Sequence, residues 1–195
     1  HRPRGRGAQR PSHGAHRRHG PAGLFSDAIL AETAKHTERP IVLALSNPTH
    51  KCECTPEAVW KATDGRGLVA TGSPFEPMDF NGRTLQASQC NNMYVFPGMG
   101  LGALVCKASR VTDEMFLAGS RAISEFVTPE QEQRGLLLPE MKDIRAVSAA
   151  VATAVGIEAR DTGLGRLIDD QQLADIVRRA QWVPKYANYR PGTLS

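Results

Sequence analysis

Apolar residues gather into short continuous runs in the first half of this chain and into helix-spaced sets in the second. Residues 41–45, Ile-Val-Leu-Ala-Leu after Pro40, form an unbroken apolar stretch, which predicts a strand buried on both faces. It stops abruptly at Ser46-Asn47-Pro48-Thr49. A second run, Leu68-Val69-Ala70-Thr71, predicts another strand and stops at Gly72-Ser73-Pro74. Between them Thr55-Pro56-Glu57 has the chemistry of a helix start: a hydroxyl cap, a proline whose missing N–H costs nothing there, and an acid in the first turn. Gly65 marks the stop. Strand, helix and strand within about 30 residues make a βαβ unit, which requires a parallel pair joined by a crossover. Both proline-containing loops therefore lie at strand C-terminal ends, the edge of an open parallel sheet where ligands bind.

Around this unit, residues 27–36 read as a helix with Ser26 as N-cap, and residues 75–89 are polar with a tight turn at Asn81-Gly82. Beyond Tyr94-Val95-Phe96-Pro97 the pattern turns helical. Helices are expected over residues 100–109, over residues 113–126 behind Thr112, over residues 143–159, which are rich in alanine and valine, and over residues 169–179. Thr128-Pro129-Glu130-Gln131 has the form of a capping box opening a short helix. There is no internal repeat and no heptad pattern. The class is α/β.

Charge changes this picture only at the start. The formal net charge is +4, yet residues 1–22 hold six arginines and no acid. Removing those six from the 24 basic residues leaves 18 against 20 acidic ones, so the remainder is slightly acidic and a nucleic-acid-binding fold is not implied. Residues 1–22 contain no Val, Ile, Leu, Met or aromatic side chain, have nothing to bury, and read as a disordered basic tail. Cys52 and Cys54 stand as C-x-C with no second pair to complete four ligands, so free thiols in a reducing compartment are expected rather than zinc. No apolar run approaches the ~20 residues that span a bilayer. Gly98-Met99-Gly100-Leu101-Gly102-Ala103 satisfies the dinucleotide fingerprint G-x-G-x-x-A. Its context is wrong, since Pro97 precedes it and helix rather than strand follows, so close packing of a helix start is the favoured reading.

Three separated segments carry a resemblance: residues 39–49 (RPIVLALSNPT), Thr63-Asp64-Gly65-Arg66 through Ala70-Thr71-Gly72-Ser73-Pro74-Phe75, and residues 91–98 (NNMYVFPG). In this order and spacing they resemble the C-terminal half of malic enzymes, the decarboxylating malate dehydrogenases, over roughly residues 23–165. The resemblance implies a partial Rossmann-type parallel sheet, the end of an NAD(P)-binding domain, followed by a helical segment. It implies oxidation of malate at C2 by NAD or NADP, then loss of CO2 to give pyruvate, with Mg2+ or Mn2+ polarising the C2 oxygen. Asn47, Asn91 and Asn92 carry over as substrate-binding residues and Ser46 as a cofactor-binding one. An amide donates to a carboxylate and accepts from a hydroxyl without adding charge to a site that binds both a dianion and a cationic nicotinamide.

The family's general-acid tyrosine, base lysine and metal carboxylates belong to its upstream half. No catalytic residue and no metal ligand is therefore assigned in this chain, Tyr94 and Lys107 included, and it is expected to be inactive alone. By the same resemblance residues 23–90 finish the NAD(P)-binding domain, residues 91–165 return to the other catalytic domain, and residues 166–195 form a C-terminal extension. Cys90 departs from the glycine usual before the asparagine pair. Where the family has a buried strand and glycine loop, this chain holds the Arg/His/Gly/Pro run, and residues 1 to about 20 read as an out-of-frame or misspliced translation of that strand. The expected partners are malate and pyruvate, without nucleic acid or membrane, in a homo-oligomeric parent that is intracellular and soluble, its compartment (cytoplasm, mitochondrion or plastid) left open. Two other readings stand beside this one: another two-domain NAD-dependent dehydrogenase, and a non-catalytic binding chain whose basic arm engages RNA.

Overall fold

The structure, a computed structural model, describes residues 14–17 and 22–185. Its sheet has four strands, all parallel: β1 (Gly14–Arg17), β2 (Ile41–Ala44), β3 (Leu68–Thr71) and β6 (Ser88–Gln89), in the order β1-β2-β3-β6. Helix α1 (Asp27–His36) connects β1 to β2, and α2 (Pro56–Ala62) connects β2 to β3. A two-stranded hairpin, β4 (Met78–Phe80) and β5 (Arg83–Leu85), separates β3 from β6. Asn81 and Gly82 form its turn, both with positive φ, 53° and 75°.

The expected βαβ unit is present, with Ile41 opposite Leu68 and Ala44 opposite Thr71. α1 and α2 pack against each other, so both lie over one face of the sheet. Beneath them Leu30, Val42, Ala44, Val59, Trp60 and Val69 form the core. Each of the Val and Leu side chains taken out of water contributes about 1.5–3 kcal/mol. The expectation of a strand buried on both faces holds only for one. Ile41 is 40% exposed and Leu43 half-buried, because no helix layer covers their face among the described residues.

The first 22 residues also differ from expectation. Residues 14–17 form β1, and the pairing with β2 shows why their composition concealed it: a parallel ladder is made of backbone N–H and C=O groups, which the Gly-Ala-His-Arg stretch has like any other. Residues 1–13 and 18–21 of the expected tail lie outside the described residues.

The second half is built round α6 (Ile144–Asp161), against which α3 (Phe96–Val105), α4 (Asp113–Ser124) and α7 (Asp170–Ala180) pack. Tyr94, Met99, Cys106, Met115, Val147, Val151 and Val155 are its core, and Leu173 and Val177 of α7 close on Ala152. The short α5 (Pro129–Gln133) leads into residues 134–139, which run beside β6 and join the two halves. The Arg134 carbonyl accepts from the Gln86 N–H at 3.0 Å, and the Ser88 hydroxyl accepts from Leu137 and Leu138 N–H at 2.7 and 3.2 Å.

Candidate functional site

The chain leaves β2 at Ala44 and turns through Ser46 and Asn47 into a cis peptide at Pro48. Beside it β3 ends at Thr71, and the ladder continues one step further, the Gly72 N–H donating to the Ala44 carbonyl at 3.1 Å. Gly72 is required by what lies over it. A Cβ there would come within 2.4 Å of the Leu45 carbonyl oxygen and 2.6 Å of Asn47 Oδ1. With no side chain in the way, the Asn47 amide settles across β3 and its Oδ1 accepts from the Ser73 hydroxyl at 2.7 Å.

On the other side of β3 the Cys90 N–H donates to the Thr71 carbonyl at 2.8 Å, and the chain passes in extended form through Asn91. Asn91 Oδ1 accepts from the Met93 N–H at 3.1 Å and caps the turn of 3-10 helix Asn92–Tyr94. Tyr94 is buried below, its hydroxyl donating to the Pro139 carbonyl at 2.7 Å. Burial, and behind it the charges of Cys90, Asp143 and Glu140, push its phenol above the ordinary value. This hydroxyl is a clamp, not a poised acid.

Asn47 and Asn91 therefore stand on loops at the C-terminal ends of β2 and β6, the two neighbours of β3, with two strand spacings of about 10 Å between their strands. Both amides have the carbonyl end tied to the protein, and neither NH2 has a hydrogen-bond partner among the described residues. Asn47 and Asn92 are exposed and Asn91 is half-buried, so both tied amides are within reach of a ligand at the sheet edge. Such an edge offers hydrogen-bond donors without net charge, suited to an anion with oxygen acceptors.

Ser46, the expected cofactor contact, is only 7% exposed. Its hydroxyl donates to Glu53 Oε1 at 2.5 Å and its N–H to Glu53 Oε2 at 3.1 Å, so its proton is turned inward. Glu53 is fully buried between Cys52 and Cys54. Burial, and then the charges of Cys52 and Glu53, push the Cys54 thiol up to about 12, so it is an inert, protonated group at neutral pH. Gly72, Ser73 and Glu53 were not among the residues singled out for the site. Gly72 and Ser73 lie in a motif visible in the sequence; Glu53 carries no sequence signal.

The G-x-G-x-x-A stretch lies inside α3. A Cβ on Gly98 would come within 2.6 Å of Val151 Cβ and one on Gly102 within 2.5 Å of the Ala152 carbonyl oxygen, so these glycines face α6 rather than a pyrophosphate. Among the described residues no three His, Cys, Asp or Glu side chains come together as a metal site, and no helix is long and apolar enough to cross a membrane.

Comparison with known proteins places this geometry. The family described as the malic enzyme NAD binding domain matches residues 18–160. An NAD-dependent malic enzyme of Pseudomonas savastanoi pv. phaseolicola is 46% identical over 171 residues, 88% of this chain and 30% of its own length. One from Vibrio parahaemolyticus is 46% identical over the same shares. The chain thus spans under a third of the length of these relatives. Among solved structures, malic enzyme from Pyrococcus horikoshii superposes with a TM-score of 0.62 at 28% identity, over 82% of this chain and 32% of that one. Entamoeba histolytica malic enzyme gives 0.62 at 30% identity, over 82% and 29%. With a parallel sheet, two tied amides at its C-terminal edge and the family match running from before α1 to the end of α6, the chain belongs to the malic enzyme NAD-binding domain family.

Proposed function

We propose that this chain is the part of a malic enzyme that presents neutral amide donors to the substrate, in the reaction malate + NAD → pyruvate + CO2 + NADH. The observation that supports this reading is the pair Asn47 and Asn91, each with Oδ1 occupied by an internal donor and its NH2 without a partner among the described residues, at the ends of the two strands that flank β3. A malate dianion supplies carboxylate oxygens for such donors, and a hydrogen bond to a charged group contributes about 1.5–3 kcal/mol. Because the amides are neutral, they orient the substrate without holding the monoanionic product by charge. The Pseudomonas and Vibrio relatives are NAD-dependent malic enzymes, which favours NAD over NADP.

NAD, when bound, supplies the hydride acceptor, and a divalent cation would withdraw electrons at the C2 oxygen. For the first, the groups that the C-terminal ends of β2 and β3 leave accessible are the exposed Asn47 and the half-buried Ser73. The described residues do not fit the second, since they bring no three metal-ligating side chains together. The acid and base work also lies with other parts of the parent polypeptide. Tyr94 spends its proton on Pro139, and Lys107 follows the end of α3 as an exposed residue with φ 53°. The 195 residues by themselves are expected to carry substrate contacts without turnover.

The test is a fusion in which residues 23–195 replace the corresponding segment of the Pseudomonas savastanoi relative. Malate-dependent NADH formation with stoichiometric CO2 is the expected result. A folded fusion that reduces NAD with a different hydroxy or amino acid and not with malate would overturn the reading.

A further inference from the structure

We propose that Glu53 is a positioning residue for Asn47, acting through Ser46. Glu53 is 0% exposed, and its chain neighbours Cys52 and Cys54 both belong to the apolar core. Burying a carboxylate is costly unless its oxygens are satisfied, and a side chain of similar volume without charge would pack there at lower cost. Both oxygens are spent on one residue: Oε2 on the Ser46 N–H at 3.1 Å and Oε1 on the Ser46 hydroxyl at 2.5 Å. A carboxylate that takes the backbone N–H and the side-chain hydroxyl of the same residue fixes both the peptide plane and the side-chain rotamer of Ser46.

Asn47 comes next in the chain, and its own carbonyl end is fixed from the other side by Ser73 at 2.7 Å. The series Glu53, Ser46, Asn47, Ser73 therefore holds the substrate-facing amide from two directions. Glu53 itself is anchored at its backbone. Its carbonyl accepts from the Phe25 N–H at 3.0 Å, the Cys52 carbonyl accepts from the Gly23 N–H at 3.1 Å, and the Cys52 thiol donates to the Ala44 carbonyl at 3.5 Å. Glu53 thus ties the end of β2 to the connection between β1 and α1, and its two hydrogen bonds are the ones that reach Ser46 from a buried side chain among the described residues. The functional meaning of this rests on reading Asn47 as a substrate amide; the positioning itself does not.

Relaxation of the 15N-labelled 195-residue chain, without any ligand, tests it. In Glu53→Gln one oxygen becomes an NH2 that cannot accept, and half the pincer is lost. The order parameter of the Asn47 backbone amide is expected to fall from the rigid value of about 0.85 to below about 0.6. The amides of Val151 and Val155 should not move. A purely structural role would lower the melting temperature and leave Asn47 as ordered as before, and that result overturns the proposal. Should Glu53→Gln fail to fold, Ser46→Ala and Ser46→Thr decide. Alanine removes the hydroxyl and should loosen Asn47, while threonine keeps it and should restore the rigid value. Equal order in both overturns the proposal. No malate enters the experiment, so a failed fusion assay and a failed positioning test are separate outcomes.

Discussion

At the scale of single residues, the site works through oxygen atoms that are already occupied. Ser73 and the Met93 N–H take the carbonyl ends of Asn47 and Asn91, which leaves each NH2 without a partner among the described residues. Asn91→Asp would keep the size and the turn cap and replace the unpaired donor by a second oxygen. In the fused enzyme it should weaken malate more than tenfold while the fold survives, as read by the Michaelis constant and the melting temperature. Cys54 offers a pH-dependent check on the core beside Glu53. Its thiol is raised in the folded chain to about 12, above the ordinary value near 9. The stability this proton contributes is complete below about pH 9 and is lost as pH climbs toward 12, because the unfolded thiol ionises first. Urea unfolding followed from pH 8 to 11 should show a steeper loss of stability in the native chain than in Cys54→Ala. Asn47 was legible in the sequence because a strand end and a proline frame it. Glu53 was not, since a buried carboxylate looks like any surface acid until its partners are known.

At the scale of elements, what was legible is what is local. The Thr55 hydroxyl accepts from the Ala58 N–H at 3.2 Å, and Thr128 and Gln131 make the reciprocal capping box, as their spacing implied. α2 has only seven residues, so its cap carries a large share of its stability. Thr55→Ala should cost about 1 kcal/mol in chemical unfolding. Ser26 makes no side-chain cap bond, although its type and place suit one. α3 was misplaced by four residues: it begins at Phe96, not at Gly100. Proline is tolerated in a first turn, so Pro97 does not delay the start, and Gly98 and Gly102 pack against α6, as the close-packing reading of that stretch expected. Gly102→Ala would force a methyl group against the Ala152 carbonyl. It should destabilise the chain by about 1–3 kcal/mol in the same measurement, whereas Gly100→Ala, with nothing within 4 Å, should be neutral or stabilising. β1 was invisible because its pairing draws on backbone alone.

At the scale of the whole molecule, the order of motifs carried more than any motif did. The Asn-Pro loop, the Gly-Ser-Pro loop and the Asn-Asn turn follow β2, β3 and β6, and the sheet sets those strands side by side. Separations of more than 40 residues in the chain thereby become one edge. The half-covered face of β2 and the exposed Phe96, Leu104 and Phe116 of the helical half were not foreseen, since apolar runs announce burial without naming what buries them.

The most direct test of the central claim is the Michaelis constant for malate in the fused enzyme with Asn47→Ala and Asn91→Ala. If these amides hold the substrate, each variant should raise it about ten- to a hundredfold, the worth of one charge-assisted hydrogen bond, with the constant for NAD changed far less. Malate constants equal to the parent fusion in both variants, with the fold intact, would contradict the account.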